Sequence, residues 1–221
     1  MFQWTAEKLQ YYCDAAEELR FFDTIAEHLR PYIRAEDRLC DAGCGPGFLS
    51  MALAPYCREI VAAELYAPAL QFLQNHPEKP NNVIVRLGDV FALPAEEVFD
   101  CMIFCLFGEP QEIMDCIRRH CKRTAILLRR ADRERHISQN GGHRADITED
   151  WRALEPFVVT KKRISLEMGQ PLRSKAAAKQ FFRLYGADAD FTPEHGNSSK
   201  FPYYYSIKRD LEILVLDAQR V

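Results

Sequence analysis

Along residues 6–32, apolar side chains recur at helical spacing. Leu9, Tyr12, Cys13, Ala16, Leu19, Phe22, Ile25, Ala26 and Leu29 share one stripe, which predicts a single helix closed by Pro31. The pattern then changes to short, unbroken apolar runs. Residues 38–42, 59–64, 82–86, 99–106 and 124–128 each read as a buried strand, with helical stretches at 48–56, 68–75 and 111–120 among them. Strands that are apolar on both faces belong to a parallel sheet covered on both sides. Right-handed crossovers then leave a doubly wound arrangement.

Beyond Arg129 the periodicity stops. Residues 130–150 are polar, with Gly141-Gly142 and the histidines His136 and His143; a loop of that length is a functional lid or a disordered excursion. Order resumes with a strand at 158–166, a helix at 174–184 and a last strand at 207–216. The reading is of one domain over 1–221: an N-terminal helical cap (1–35), a core (36–130), the loop (131–150) and the C-terminal strands and helix (151–221).

Composition narrows the class. The chain has 221 residues, 48% hydrophobic and 28% charged, a globular mixture long enough to bury a substantial core. A formal charge of −3 argues against a dedicated nucleic-acid binder. Lys and Arg nevertheless outnumber Asp and Glu between Ile117 and Arg163, which is either a solvated basic face or a site that attracts an anionic acceptor. The eight cysteines form no C-x-x-C and no matched pairs at zinc spacing, and several sit in apolar runs. They read as reduced, packed thiols, and no metal site is expected. The N-terminal residues lack a basic region followed by an apolar core, and no run approaches the length of a membrane span. The expectation is a soluble, cytoplasmic protein without membrane partners; oligomeric state is not legible.

Chemistry concentrates between the first strand and the first crossover helix. Asp41-Ala42-Gly43-Cys44-Gly45-Pro46-Gly47 lets the backbone turn sharply and lets a ligand touch the main chain without meeting a Cβ. The helix beyond it offers free N–H groups. Glu64 closes the second strand, where doubly wound folds place an acid against ribose hydroxyls. Asp89 closes the third strand, positioned to accept from an adenine amino group or to cap a turn. Three strand ends carrying the right groups in order make a nucleotide-type site.

Asp41 to Gly47, Glu64-Leu65, Gly88-Asp89-Val90 and the strand at 99–106 resemble the successive motifs of the class I S-adenosylmethionine-dependent methyltransferases. The resemblance implies a Rossmann-like, mostly parallel sheet of seven strands whose last strand is antiparallel and inserted between the fifth and sixth. It also implies S-adenosylmethionine as cofactor and S-adenosylhomocysteine as product. By the resemblance, Asp41, Ala42, Gly43, Gly45 and Gly47 embrace the amino-acid end of the cofactor. Glu64 and Leu65 hold the ribose, Asp89 and Val90 read the adenine, and the backbone near Cys105 approaches the methyl group. A nicotinamide dinucleotide fingerprint would need Gly or Ala where Phe48 stands.

The acceptor side is less legible. Leu106-Phe107-Gly108-Glu109-Pro110 replaces the Pro-Pro-aromatic motif of adenine-type amino methyltransferases. Glu109 is the candidate base or orienting group, or simply an acid in the first turn of a helix. His136 and His143 are candidate lining residues, and Phe2, Trp4, Tyr11 and Tyr12 could cap the cofactor or form a core stripe. Phe201 and the tyrosines Tyr203 to Tyr205 could stack on a planar acceptor or simply enter a strand. A small-molecule acceptor is favoured, with RNA, a protein side chain or a catalytically silent binding subunit as alternatives.

Overall fold

The computed structural model describes residues 4–131, 151–185, 194–196 and 198–221. The loop histidines His136 and His143, and Phe2, lie outside them.

Two helices open the chain, α1 (Ala6–Leu19) and α2 (Phe21–Leu29), where the apolar stripe predicts one. Thr5 caps α1 by accepting the Lys8 N–H at 3.2 Å. The break is Arg20, in the left-handed region at φ 49°, ψ 31°. The stripe continues in phase across that single residue, so periodicity could not register it. The break sends the two helices to different partners. Helix α2 buries Phe21, Phe22, Ile25, Ala26 and Leu29 in the main core. Helix α1 is tied to the C-terminal part of the chain: Gln170 donates to the Tyr11 carbonyl at 3.0 Å, and Arg173 Nε donates to the buried Asp14 at 3.0 Å.

The alternation that follows is β1 (Arg38–Ala42), α3 (Phe48–Leu53), β2 (Glu59–Glu64), α4 (Ala67–Gln74), β3 (Val83–Leu87), β4 (Phe99–Cys105), α5 (Pro110–His120) and β5 (Cys121–Arg130). After it come β6 (Val158–Glu167), β7 (Gln170–Leu172), α6 (Lys175–Tyr185), β8 (Glu194–His195), β9 (Tyr203–Tyr205) and β10 (Lys208–Asp217). The main sheet has seven strands in the order β3-β2-β1-β4-β5-β10-β6. Strands β1 to β5 pair in parallel, and β10 runs antiparallel between β5 and β6, as the family resemblance implies. A small second sheet, β7-β9-β8, is new. Its strands are two or three residues long, too short to carry a period.

Side chains alternate between two cores. In β4, Cys101 and Ile103 face α2, α3 and α4 with Ile25, Leu53 and Leu70, while Met102 and Phe104 face α5 with Ile113 and Ile117. Fully burying side chains of this size contributes about 1.5–3 kcal/mol each. β3 departs from the double-covered expectation because it is the sheet edge, where Ile84 and Leu87 are exposed. A third cluster joins Leu172, Phe181 and Phe182 to Tyr11, Tyr203 and Tyr205, and Phe201 is buried. The aromatic run at 201–205 is therefore packing, with the Tyr204 hydroxyl donating to Glu167 at 2.6 Å.

Ion pairs pin both ends of this frame. At the amino edge of the sheet Arg38 bridges Glu59 and Glu97, each at 2.6 Å. Across β5, β10 and β6, the buried Glu212 accepts from Arg129 Nε at 2.7 Å, with Lys161 at 3.3 Å and Arg163 at 3.5 Å. Burial raises the Glu212 carboxyl, but Arg129 and Lys161 outweigh it and hold it below the ordinary 4.5. A depressed carboxylate contributes stability that is present above its unfolded value and lost as pH falls through the folded one. Glu212→Gln should lower stability by about 2–3 kcal/mol at pH 7, less than for a fully enclosed pair because the cations reach solvent. In urea titrations that deficit should shrink below pH 4.5; an equal deficit at pH 3 and pH 7 would contradict it.

Candidate functional site

The carboxyl ends of β1, β2, β3 and β4 lie side by side, and each releases a short loop on the same edge of the sheet. After β1 the chain turns through Gly43, Gly45 and Gly47 at φ +68°, +54° and +78°. Side-chain-bearing residues rarely adopt three such angles in five positions. The Cys44 N–H donates to the Ala63 carbonyl at 3.0 Å, which lashes the turn to β2. A Cβ on Gly47 would meet Leu73 at 2.4 Å, so this glycine lets α4 pack on the turn.

Glu64 completes the turn. Its Oε2 accepts the Gly45 N–H at 3.0 Å, and its Oε1 accepts the Leu65 and Tyr66 N–H groups at 2.8 and 2.9 Å. An ionised carboxylate has about four acceptor positions, so one on Oε2 is left over. Beneath the turn, buried Asp41 accepts the Ser50 hydroxyl at 2.6 Å. Burial raises its carboxyl to about 6; the Ser50 hydrogen bond opposes this and the Glu64 charge adds to it.

The third and fourth strand ends close the ring. The Gly88 N–H donates to the Glu64 carbonyl at 3.1 Å. Asp89 caps the 3-10 turn Val90–Ala92, accepting the Phe91 N–H at 2.9 Å. Beyond Cys105, Leu106 and Gly108 both have positive φ, 55° and 82°, and Phe107 lies between them. The Phe107 ring stacks on Phe91 with centroids 5.3 Å apart and planes within 4°. The same ring lies against Gly43, where a Cβ would fall 2.3 Å from Phe107 Cδ2. Trp4 covers Gly45, with Cζ2 3.2 Å from a would-be Cβ, and stacks on Tyr66. Leu65, Leu87 and Leu106 present exposed apolar side chains at the ends of β2, β3 and β4.

The glycine turn, Asp41, Glu64 and Leu65 thus form one cluster, with Asp89-Val90 at the adjoining strand end. Glu109 is exposed, precedes the first turn of α5 and makes no side-chain capping bond. Burial, then Asp41, pushes the Cys44 and Cys105 thiols far up, so neither is a thiolate nucleophile. Of the described N-terminal aromatics, Trp4 and Tyr12 face this cluster. Burial, then Cys105 and Asp41, raise the Tyr12 hydroxyl, whereas Tyr11 turns to α6 and donates to the Ala177 carbonyl. Sequence reasoning missed Phe91, Tyr66 and Phe107; the one available signal was an aromatic residue just past each strand end. Among the described residues, no group of three or more His, Cys, Asp or Glu could hold a metal ion. No helix there is long and apolar enough to cross a membrane.

A family model described as a methyltransferase domain matches residues 39–124, from β1 into β5. An uncharacterized methyltransferase of Schizosaccharomyces pombe is 30% identical over 89 residues, covering 35% of this chain and 32% of that protein. Both matches support the resemblance of this segment to the class I methyltransferases. The chain spans about a third of that relative's length. Its fold is shared with a candidate RNA methyltransferase from Pyrococcus horikoshii (TM-score 0.54, 13% identity, 90% of this chain and 84% of that one). It is likewise shared with the N-methyltransferase NodS from Bradyrhizobium japonicum solved with S-adenosyl-L-homocysteine (TM-score 0.52, 13% identity, 90% and 86%). The matched segment holds the glycine turn, Glu64 and Asp89, while Trp4 and α1 lie outside it.

Asp41 supplies a pH test of the unliganded protein. Its folded pKa, about 6, lies above the ordinary 3.8, so its contribution is fully present below 3.8 and is lost as pH rises through 6. Asp41→Asn keeps an acceptor for Ser50 and removes the buried charge. It should be more stable than the parent by about 2 kcal/mol at pH 8, with the difference gone near pH 4. Denaturant titrations at the two pH values check this, and a constant difference would contradict it.

Proposed function

We propose that this chain is a methyltransferase that binds S-adenosylmethionine across the carboxyl ends of β1, β2 and β3 and transfers the methyl group to a small-molecule acceptor. The observation that carries the reading is the Glu64 carboxylate bonded to the Gly45 N–H, which draws the acid of β2 and the turn of β1 to one point. The residues fit the group. Asp41 stands by the turn as a counter-charge for an ammonium, and the free position on Glu64 Oε2 can accept one ribose hydroxyl. A second hydroxyl is accepted when the Gly45 N–H is released. Leu65, Leu87 and Leu106 offer apolar walls to a planar base, and Asp89 with the Val90 N–H would read its edge.

When bound, the cofactor supplies a methyl group activated by a sulfonium. The protein need not provide a nucleophile; its residues hold the acceptor atom in line and keep water out, which removes several kcal/mol of barrier. Glu109, exposed beside Gly108 at the end of β4, would take a proton from the acceptor or orient it.

Calorimetry tests the cofactor reading. S-adenosylmethionine and S-adenosylhomocysteine should bind and NAD should not. Glu64→Ala should weaken binding by at least tenfold, since a charge-assisted hydrogen bond contributes about 1.5–3 kcal/mol. Unchanged affinity in that variant would remove Glu64 from the site. With an acceptor in hand, Glu109→Gln should lower kcat while leaving cofactor affinity within about twofold; full turnover would end its proposed role.

A further inference from the structure

The glycine turn is the cradle that the cofactor reading needs, yet an aromatic ring of this chain already rests on it. The Phe107 ring approaches Gly43 so closely that a Cβ there would lie 2.3, 2.4 and 2.7 Å from three of its carbons. Contact at that range exists only because Gly43 has no side chain. The ring also stacks on Phe91, which follows Asp89-Val90. Phe107 therefore bridges the turn, where the amino-acid end of the cofactor would rest, and the loop expected to read its adenine.

Two further features suit a displaceable ring. The residues flanking Phe107, Leu106 and Gly108, both have positive φ, so the ring is presented by a short kink outside β4 and α5. Leu106 takes that conformation without being glycine, asparagine or aspartate, a state that surrounding contacts must hold in place. The ring is also only half-buried, unlike Phe99 and Phe104 of the adjoining strand. It packs against the edge of the α5-side core but belongs to no strand, so the sheet's own ladder does not run through it.

We propose that Phe107 is a resident occupant of the cofactor cleft, lying in the free protein where the cofactor would lie, so that it must move out before the cofactor enters. The inference rests on the cofactor reading above. A ring that competes with the ligand reduces the apparent affinity by the fraction of molecules in which the cleft is open. A ring that served as a wall of the bound cofactor would do the opposite, and truncating it would weaken binding. The sign of the effect separates the two.

The experiment is S-adenosylhomocysteine calorimetry on the full chain, comparing the parent with Phe107→Ala and Phe107→Leu, beside thermal melts without ligand. Removing the ring should tighten binding by about tenfold in the alanine variant and by less in the leucine variant. The same variants should melt lower when unliganded, because the Phe91 stack and the Gly43 contact are gone. Opposite signs for ligand affinity and unliganded stability are the signature of a competing occupant. Binding by the alanine variant alone would support the proposal more strongly still. Equal or weaker binding by both variants, with the parent binding normally, overturns the proposal and leaves the cofactor reading standing. Absence of binding by parent and variants alike overturns both.

Discussion

A single carboxylate organises the carboxyl edge of this sheet. Glu64 ends β2, and its two oxygens take the N–H groups of Gly45, Leu65 and Tyr66. Those three bonds fix the glycine turn after β1 relative to the loop after β2, and the Gly88 N–H on the Glu64 carbonyl adds the end of β3. Charge-assisted bonds of this type are individually strong, and here they replace the side-chain packing that glycines cannot provide. Without that carboxylate, three residues at positive φ would be held chiefly by the Cys44 bond to Ala63 and by Leu73.

The same edge carries a buried acid and a half-buried one. Asp41 sits beneath the turn with its carboxyl raised by burial, and Glu64 stands above it as a second acid. Two carboxylates beside a turn rich in N–H groups favour a ligand that brings a cation and hydroxyl donors. The amino edge is built differently, with Arg38 shared between Glu59 and Glu97, and the charges there are matched. One edge is closed by ion pairs while the other is left with acids that a ligand can use.

Much of this was legible in the residues, and the exceptions have physical reasons. Unbroken apolar runs reported the parallel strands, because burial on both faces leaves few polar positions. The glycine spacing and the acids Glu64 and Asp89 pointed to the strand ends that the fold brings together, because backbone sterics and hydrogen-bonding capacity are local properties. Arg20 was illegible, since one left-handed residue splits α1 from α2 without shifting the apolar stripe. The sheet of β7, β8 and β9 was illegible because strands of two or three residues carry no period. Phe107 reads as an ordinary aromatic in sequence. Its position on Gly43 depends on the φ angle of Leu106, which no composition or periodicity encodes.

The central claim is that the glycine turn, Glu64 and the Asp89-Val90 loop form one ligand-binding surface. Amide proton–nitrogen NMR spectra recorded while S-adenosylhomocysteine is titrated into the protein test it most directly. The account predicts the largest shifts at Gly43, Gly45, Leu65 and Val90, with the amides of β6 and α6 unmoved. Shifts confined to another surface, or none at saturating ligand, would contradict it.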